Sequence, residues 1–143
     1  MKFLEANLAR VFICRLDYES DLLESIRRFA EEKGINAAVF SALGALKNAS
    51  LAFYDQKTKK YVKEKISRPL ELLSCIGNIA KIDGKTVVHA HIVVSDSEGR
   101  AYGGHLDVET IIFSCELFLT ELRGINLKRK YDKTTGLNLF MFE

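Results

Sequence analysis

Apolar and polar positions alternate through most of this chain with a period close to two, and a single segment shows the period of a helix. Residues 3–16 alternate loosely and are rich in Phe, Leu, Val and Ile, which predicts a first strand. Leu22, Leu23, Ile26, Phe29 and Ala30 then recur at helical spacing, with Arg27, Arg28, Glu31, Glu32 and Lys33 on the opposite face. Asp21 stands at the N-cap position, and Glu24 three residues later completes a capping box. Gly34 stands where a C-terminal cap belongs. One apolar stripe of this helix should pack on a sheet.

After the helix the pattern is that of strands. Residues 36–43 are small and apolar and are expected to end at Gly44. A strand over 48–55 follows, and a Lys-rich turn leads to another over 60–67. Residues 70–82 are apolar with Gly77 inside. Asp83-Gly84 is a hairpin signal before 85–95, the most strand-like run of all. Asp96-Ser97-Glu98-Gly99 predicts a second turn. Residues 110–122 fit a long buried strand or a helix, and the start Thr110-Ile111-Ile112-Phe113 favours strand. A tail with Tyr131, Leu137, Leu139, Phe140 and Phe142 predicts an added edge strand. Strands joined by hairpins around one clear helix define an α+β class: a single domain over residues 1–143, a largely antiparallel sheet with one or two packed helices.

Length and composition agree. At 143 residues, two independent cores would each be marginal. Apolar residues at 48% and charged residues at 28% describe a globular chain, and no apolar run reaches the roughly 18 residues that span a bilayer. The start Met1-Lys2-Phe3-Leu4-Glu5 carries an acid inside its apolar stretch and no cleavage pattern, so a cytoplasmic location is expected. A net charge of +2 weighs against tight non-specific binding of nucleic acid. Cys14, Cys75 and Cys115 are odd in number and far apart, which indicates neither a disulfide framework nor a zinc ribbon.

The chain has only three histidines, so their clustering is informative. On a strand, His89 and His91 project to the same side, flanked there by Val87 and Val93. Val88, Ala90, Ile92 and Val94 line the other side, so the strand should be central and the histidines at least partly buried. Paired imidazoles in that setting need hydrogen-bond partners or a metal, and desolvation favours their neutral, ligating form. The turn at 96–99 can return residues 100–106 beside 89–95. Gly103 and Gly104 would then allow a close approach or a positive φ that brings His105 in as a third nitrogen. Zinc suits such a set best, with nickel, copper, iron or cobalt as other divalent transition metals. Glu116 is a further candidate as ligand, hydrogen-bond partner of a ligand, or base; a salt bridge to Arg100 or Arg123 is the favoured alternative. Cys115 faces the other way, as a core thiol.

Gly99-Arg100-Ala101-Tyr102-Gly103-Gly104-His105-Leu106 resembles the GGHL signature of the plant-and-prokaryote-conserved (PPC) domain. Other segments match in order: Ser41-Ala42-Leu43-Gly44-Ala45-Leu46, Pro69-Leu70-Glu71-Leu72-Leu73-Ser74, His89-Ala90-His91 and Ser114-Cys115-Glu116-Leu117. The resemblance covers nearly the whole chain and implies an α+β fold, a homotrimer and, in some prokaryotic members, a histidine-bound metal. In plants the domain is fused to AT-hooks that enter A·T-rich minor grooves. This sequence lacks the Arg-Gly-Arg-Pro core of a hook. Arg68-Pro69-Leu70-Glu71-Leu72-Leu73 also departs from the family's GRFEIL wording, so the plant role of that segment in recruiting partner proteins is not carried over.

Lys57, Lys59, Lys60, Lys63 and Lys65 form one basic group and Lys128-Arg129-Lys130 another. Both read as solvated faces, the first protecting an edge strand, although a trimer would triple each patch. Three functions follow. The first is a metal-binding homotrimeric module for a protein or small-molecule partner, with Gly103, Gly104, Glu71 and Glu116 near the ligand. The second is a metal-dependent hydrolase or lyase with an open zinc position, drawing a general acid or base from Glu116, Glu71 or Asp107. The third is a regulatory DNA binder without a hook, whose direct contact with nucleic acid is expected to be weak or absent.

Overall fold

The computed structural model describes residues 1–142. Its elements are β1 (Asn7–Leu16), α1 (Leu22–Glu32), β2 (Ala38–Asp55), β3 (Lys60–Ile66), β4 (Leu70–Ile82), β5 (Lys85–Ser95), β6 (Ala101–Leu106), β7 (Ile111–Arg123), β8 (Arg129–Asp132) and β9 (Leu137–Phe140). The main sheet runs β1-β7-β2-β4-β5-β6 with β3 beside β2, and its strand pairs are antiparallel. The far end of β2 also pairs with β6, Leu51 opposite Leu106 and Ala52 opposite His105. Strands β2, β4, β5 and β6 therefore close a ring, which holds β5 and β6 rigidly.

The helix begins where the sequence placed it. The Asp21 carboxylate accepts from the Glu24 backbone N–H at 2.9 Å. The reciprocal half of the capping box is absent, because the Glu24 carboxylate turns to Arg27 instead. Leu22, Ile26 and Ala30 are fully buried against the sheet. They join one core with Leu46, Ile79, Ile92, Leu117 and Leu119, and Phe29 meets Phe12 of β1 edge to face. No helix of the described residues is long and apolar enough to cross a membrane.

Three expectations change. The first strand starts at Asn7, and Phe3 lies exposed before it. Gly44 does not end a strand: β2 continues through it for 18 residues. A Cβ at Gly44 would sit 2.1 Å from the Ser114 carbonyl oxygen, so the glycine lets β2 and β7 approach while β2 shifts register against β4. The tail adds no strand to the main sheet. It folds as the separate hairpin β8–β9, anchored by the Lys81 N–H donating to the Leu127 carbonyl at 3.0 Å.

One face of the main sheet is covered by α1 and the other is open. A single row across the open face runs Ile13, Phe118, Ser41, Ile76, His91, His105, each opposite the next on the neighbouring strand. Ile13 and Ile76 are 76% and 66% exposed there, so the open face is apolar.

Candidate metal centre

Strand periodicity and register assemble the three histidines. His89 and His91 lie two apart on β5 and share the open face, while Ala90, Ile92 and Val94 between and beyond them are buried in the core. His105 on β6 stands directly opposite His91. Gly103 and Gly104 act through close approach and not through a positive φ. A Cβ at Gly104 would lie 3.1 Å from the Ala52 carbonyl oxygen and one at Gly103 3.2 Å from that of Ile92. Their missing side chains let β6 fit between β5 and β2, with His105 aimed at its partners.

The three rings form a nearly equilateral group, with centroids 5.2 Å apart for His89–His91, 5.0 Å for His89–His105 and 5.4 Å for His91–His105. One nitrogen from each lies within 4.8 Å of the others. A tetrahedral zinc with bonds near 2.05 Å needs its nitrogens about 3.4 Å apart, a closure within reach of small ring rotations.

Burial differs among them. His91 is exposed, contrary to the expectation of a strand enclosed on both faces, and His89 and His105 are half-buried. The reason is that the β8–β9 hairpin covers only one end of the open face. Burial, followed by the positive charges of Arg129, His105 and His91, pushes the His89 pKa down to about 4. Burial and the neighbouring His91 also lower that of His105, against a pull from Asp107. Both rings are neutral at pH 7 and carry the lone pairs that ligation requires. The donor set therefore fits a borderline transition metal.

Arg129, expected in a solvated basic group, belongs to this site. Side chains alternate along β8, so Arg129 turns inward between Lys128 and Lys130. Its Nη2 donates to Asn78 Oδ1 at 2.9 Å and to His89 Nδ1 at 3.1 Å, and Nη1 donates to the Asn138 carbonyl at 2.9 Å. The guanidinium lies over the Phe140 ring, 4.1 Å from its centroid. The signal was present in the apolar alternation of 137–140, which marks a hairpin and so gives residue 129 an inside. Beside these residues a cavity of about 720 Å³ opens, walled also by Tyr54, Tyr61, Val87 and Leu137.

The acidic candidates lie elsewhere. Glu116 is exposed on β7, opposite Arg15 and Leu43. It makes no bridge to the expected arginines, because Arg100 pairs with Asp96 and Glu98, and Arg123 with Glu121. Glu71 is exposed and lines a separate hollow with Tyr18 and Arg68. Neither belongs to the histidine group, and Asp107 is held by Lys63 at 2.5 Å. The buried carboxylate of β7 is Glu121, gripped by Arg10 through Nε at 2.6 Å and Nη2 at 3.0 Å. Cys75 and Cys115 are core thiols, raised by burial to about 12 and about 11.

Comparison with known proteins agrees with this geometry. Residues 4–123 match the Plants and Prokaryotes Conserved (PCC) domain. A metal-containing protein from Archaeoglobus fulgidus has the same fold, with TM-score 0.94, 42% identity and 99% of each chain covered. A plant- and prokaryote-conserved protein from Pyrococcus horikoshii superposes with TM-score 0.93 at 34% identity, over 99% of this chain and 97% of that one. The bifunctional protein GlmU of Synechococcus sp. (strain JA-3-3Ab) is 36% identical over 135 residues, 93% of this chain. The chain spans about a fifth of the length of the curated relatives it matches, 20% and 19%. The likeness thus covers the whole sheet, the histidine strands included, and the chain belongs to the Plants and Prokaryotes Conserved domain family.

Proposed function

We propose that this protein is a metal-binding module in which His89, His91 and His105 hold zinc or another divalent transition metal, and that it works as a homotrimer presenting that centre to a small-molecule or protein ligand. The observation that carries the reading is the convergence of three imidazole nitrogens within 4.8 Å on two adjacent strands of a closed ring. The metal-containing neighbour from Archaeoglobus fulgidus supports it. When bound, an ion with three protein nitrogens supplies a Lewis acid with a position left for water or ligand. The chain's own residues would hold it in place through the ring positions that β5 and β6 fix; without the ion, Arg129, itself bonded to Asn78, donates to His89 Nδ1. The apolar open face supports assembly, since patches of that kind mark contact surfaces.

Mass spectrometry of the untagged protein should find close to one transition-metal ion per chain, and His89→Ala/His91→Ala should abolish it. A metal-free native protein sinks the reading.

A second reading, a metal-dependent hydrolase or lyase, draws support from the three-ligand count: among the described residues no further His, Cys, Asp or Glu joins the group. X-ray absorption of the loaded protein tests it, and a centre without a water ligand ends it. Direct DNA contact has less support. Lys63 and Lys65 of the basic edge strand are paired with Asp107 and Glu109, so their charge is partly spent within the chain.

A further inference from the structure

The cavity beside the histidines has a polarity that metal binding alone does not use. Its wall combines the histidines and Arg129 with Tyr54, Tyr61, Val87 and Leu137, and the Tyr61 ring packs against His105 with centroids 5.2 Å apart. Among the described residues, no Asp or Glu lines it. Among the described residues no carboxylate lies within ion-pair distance of Arg129; Arg10, Arg27, Arg68, Arg100 and Arg123 each hold one, while Arg15 and Arg28, like Arg129, do not. Its Nε is buried and has no hydrogen-bond partner among the described residues. A half-buried guanidinium without a counter-charge is destabilising until an anion completes it.

The bond to His89 couples this arginine to the metal. A guanidinium only donates, so His89 Nδ1 accepts, and the proton of the neutral ring sits on Nε2. Ligation through Nδ1 would use the same lone pair. Ligation through Nε2 would move the proton to Nδ1, where one N–H would face another. Either way Arg129 has to release His89. Nη2 shares one edge of the guanidinium with the unpartnered Nε, and that Nε–Nη2 edge matches the two oxygens of a carboxylate.

We infer that the cavity is a receptor for a small organic carboxylate. The headgroup lies on the Nε–Nη2 edge of Arg129 beside the metal, and the apolar body lies against Tyr54, Tyr61, Val87 and Leu137. A volume of about 720 Å³ suits a ligand of that size. The inference rests on the metal reading, because metal loading is what frees the guanidinium.

The test is calorimetric titration of the zinc-loaded, untagged full chain with isovalerate and with its neutral amide, isovaleramide. Zinc content is measured separately by mass spectrometry. The acid should bind the wild type about tenfold tighter than the amide or better. Arg129→Gln should lose that preference and Arg129→Lys should restore part of it. Arg129→Gln should also bind zinc at least as tightly as wild type, its competitor for His89 being gone. Equal binding of acid and amide by the zinc-loaded wild type overturns the carboxylate assignment and leaves the metal reading standing, and this comparison needs no variant to fold. An unchanged preference in Arg129→Gln overturns it as well. A wild type that holds no zinc overturns both.

Discussion

The Asp96 carboxylate gathers five donors around the turn between β5 and β6. They are the backbone N–H groups of Glu98 and Arg100 at 3.0 Å, Arg100 Nε at 2.8 Å, Arg68 Nη2 at 3.2 Å and the Tyr102 hydroxyl at 3.1 Å. Burial alone would raise its pKa, but hydrogen bonds from Arg100, Glu98 and Tyr102 outweigh that and hold it at about 2, below the ordinary 3.8. A carboxyl with a depressed folded pKa contributes stability that is present above the unfolded value and lost as pH falls through the folded one. Asp96→Asn should therefore melt several degrees below wild type at neutral pH, and the gap should close as pH drops from about 4 toward about 2. Thermal melts followed by circular dichroism across that range decide it, and a pH-independent gap refutes it. Gly44 offers a second test at this scale. Its Cβ would strike the Ser114 carbonyl, whereas a Cβ at Gly99, also at positive φ, meets nothing within 4 Å. Gly44→Ala should cost about 3 kcal/mol or more and Gly99→Ala about 1 kcal/mol, measured by urea unfolding.

Among the elements, β5 and β6 were the most legible and the tail the least. A dense β-branched run bounded by Asp83-Gly84 and Asp96-Ser97-Glu98-Gly99 leaves one reading, so the strand over 85–95 emerged with its observed ends, and the turn alone implied that His105 returns beside His91. Gly44 misled because a glycine inside an apolar run looks the same whether it ends a strand or admits a neighbour; only the packing of β7 distinguishes them. Glu116 misled because period two assigns faces but does not say which face is covered. The hairpin β8–β9 was hidden since each strand has four residues and its partner is itself. Two-stranded hairpins are marginal alone, and this one is tied down by Leu127, Phe140 and the Arg129 bonds to Asn78 and His89. Its amides should exchange with solvent well before those of β5, which has partners on both sides. Truncation after residue 126 should leave the β1–β7 amides protected while costing about 2 kcal/mol for the lost Leu127 burial. Loss of protection throughout the sheet would show instead that the hairpin is integral to the core.

For the whole molecule, the open sheet face poses the decisive question. The row that begins with exposed Ile13 and Phe118 ends in His91 and His105, so the apolar surface and the histidine group are continuous across β1, β7, β2, β4, β5 and β6. Val39 and Leu43 on β2 and Val93 on β5 extend the patch, each more than 40% exposed. A lone chain would hold this surface against water at roughly 25 cal/mol for each Å². Burying it between copies would remove that cost and also cover His91, the one histidine the chain leaves open. If assembly works this way, oligomer and metal are linked, since whatever binds only the assembled form stabilises it. Sedimentation should then show wild type as three 16.2 kDa chains. Ile76→Arg, which places a charge beside His91 without adding a metal ligand, should give monomers with metal affinity at least about tenfold lower. Phe118→Asp is two strands further from His91 along the row, and should give the same monomers and the same loss of affinity. Monomers of Phe118→Asp that keep full metal affinity would separate the two properties, and a monomeric wild type would leave the open face without the occupant assigned to it.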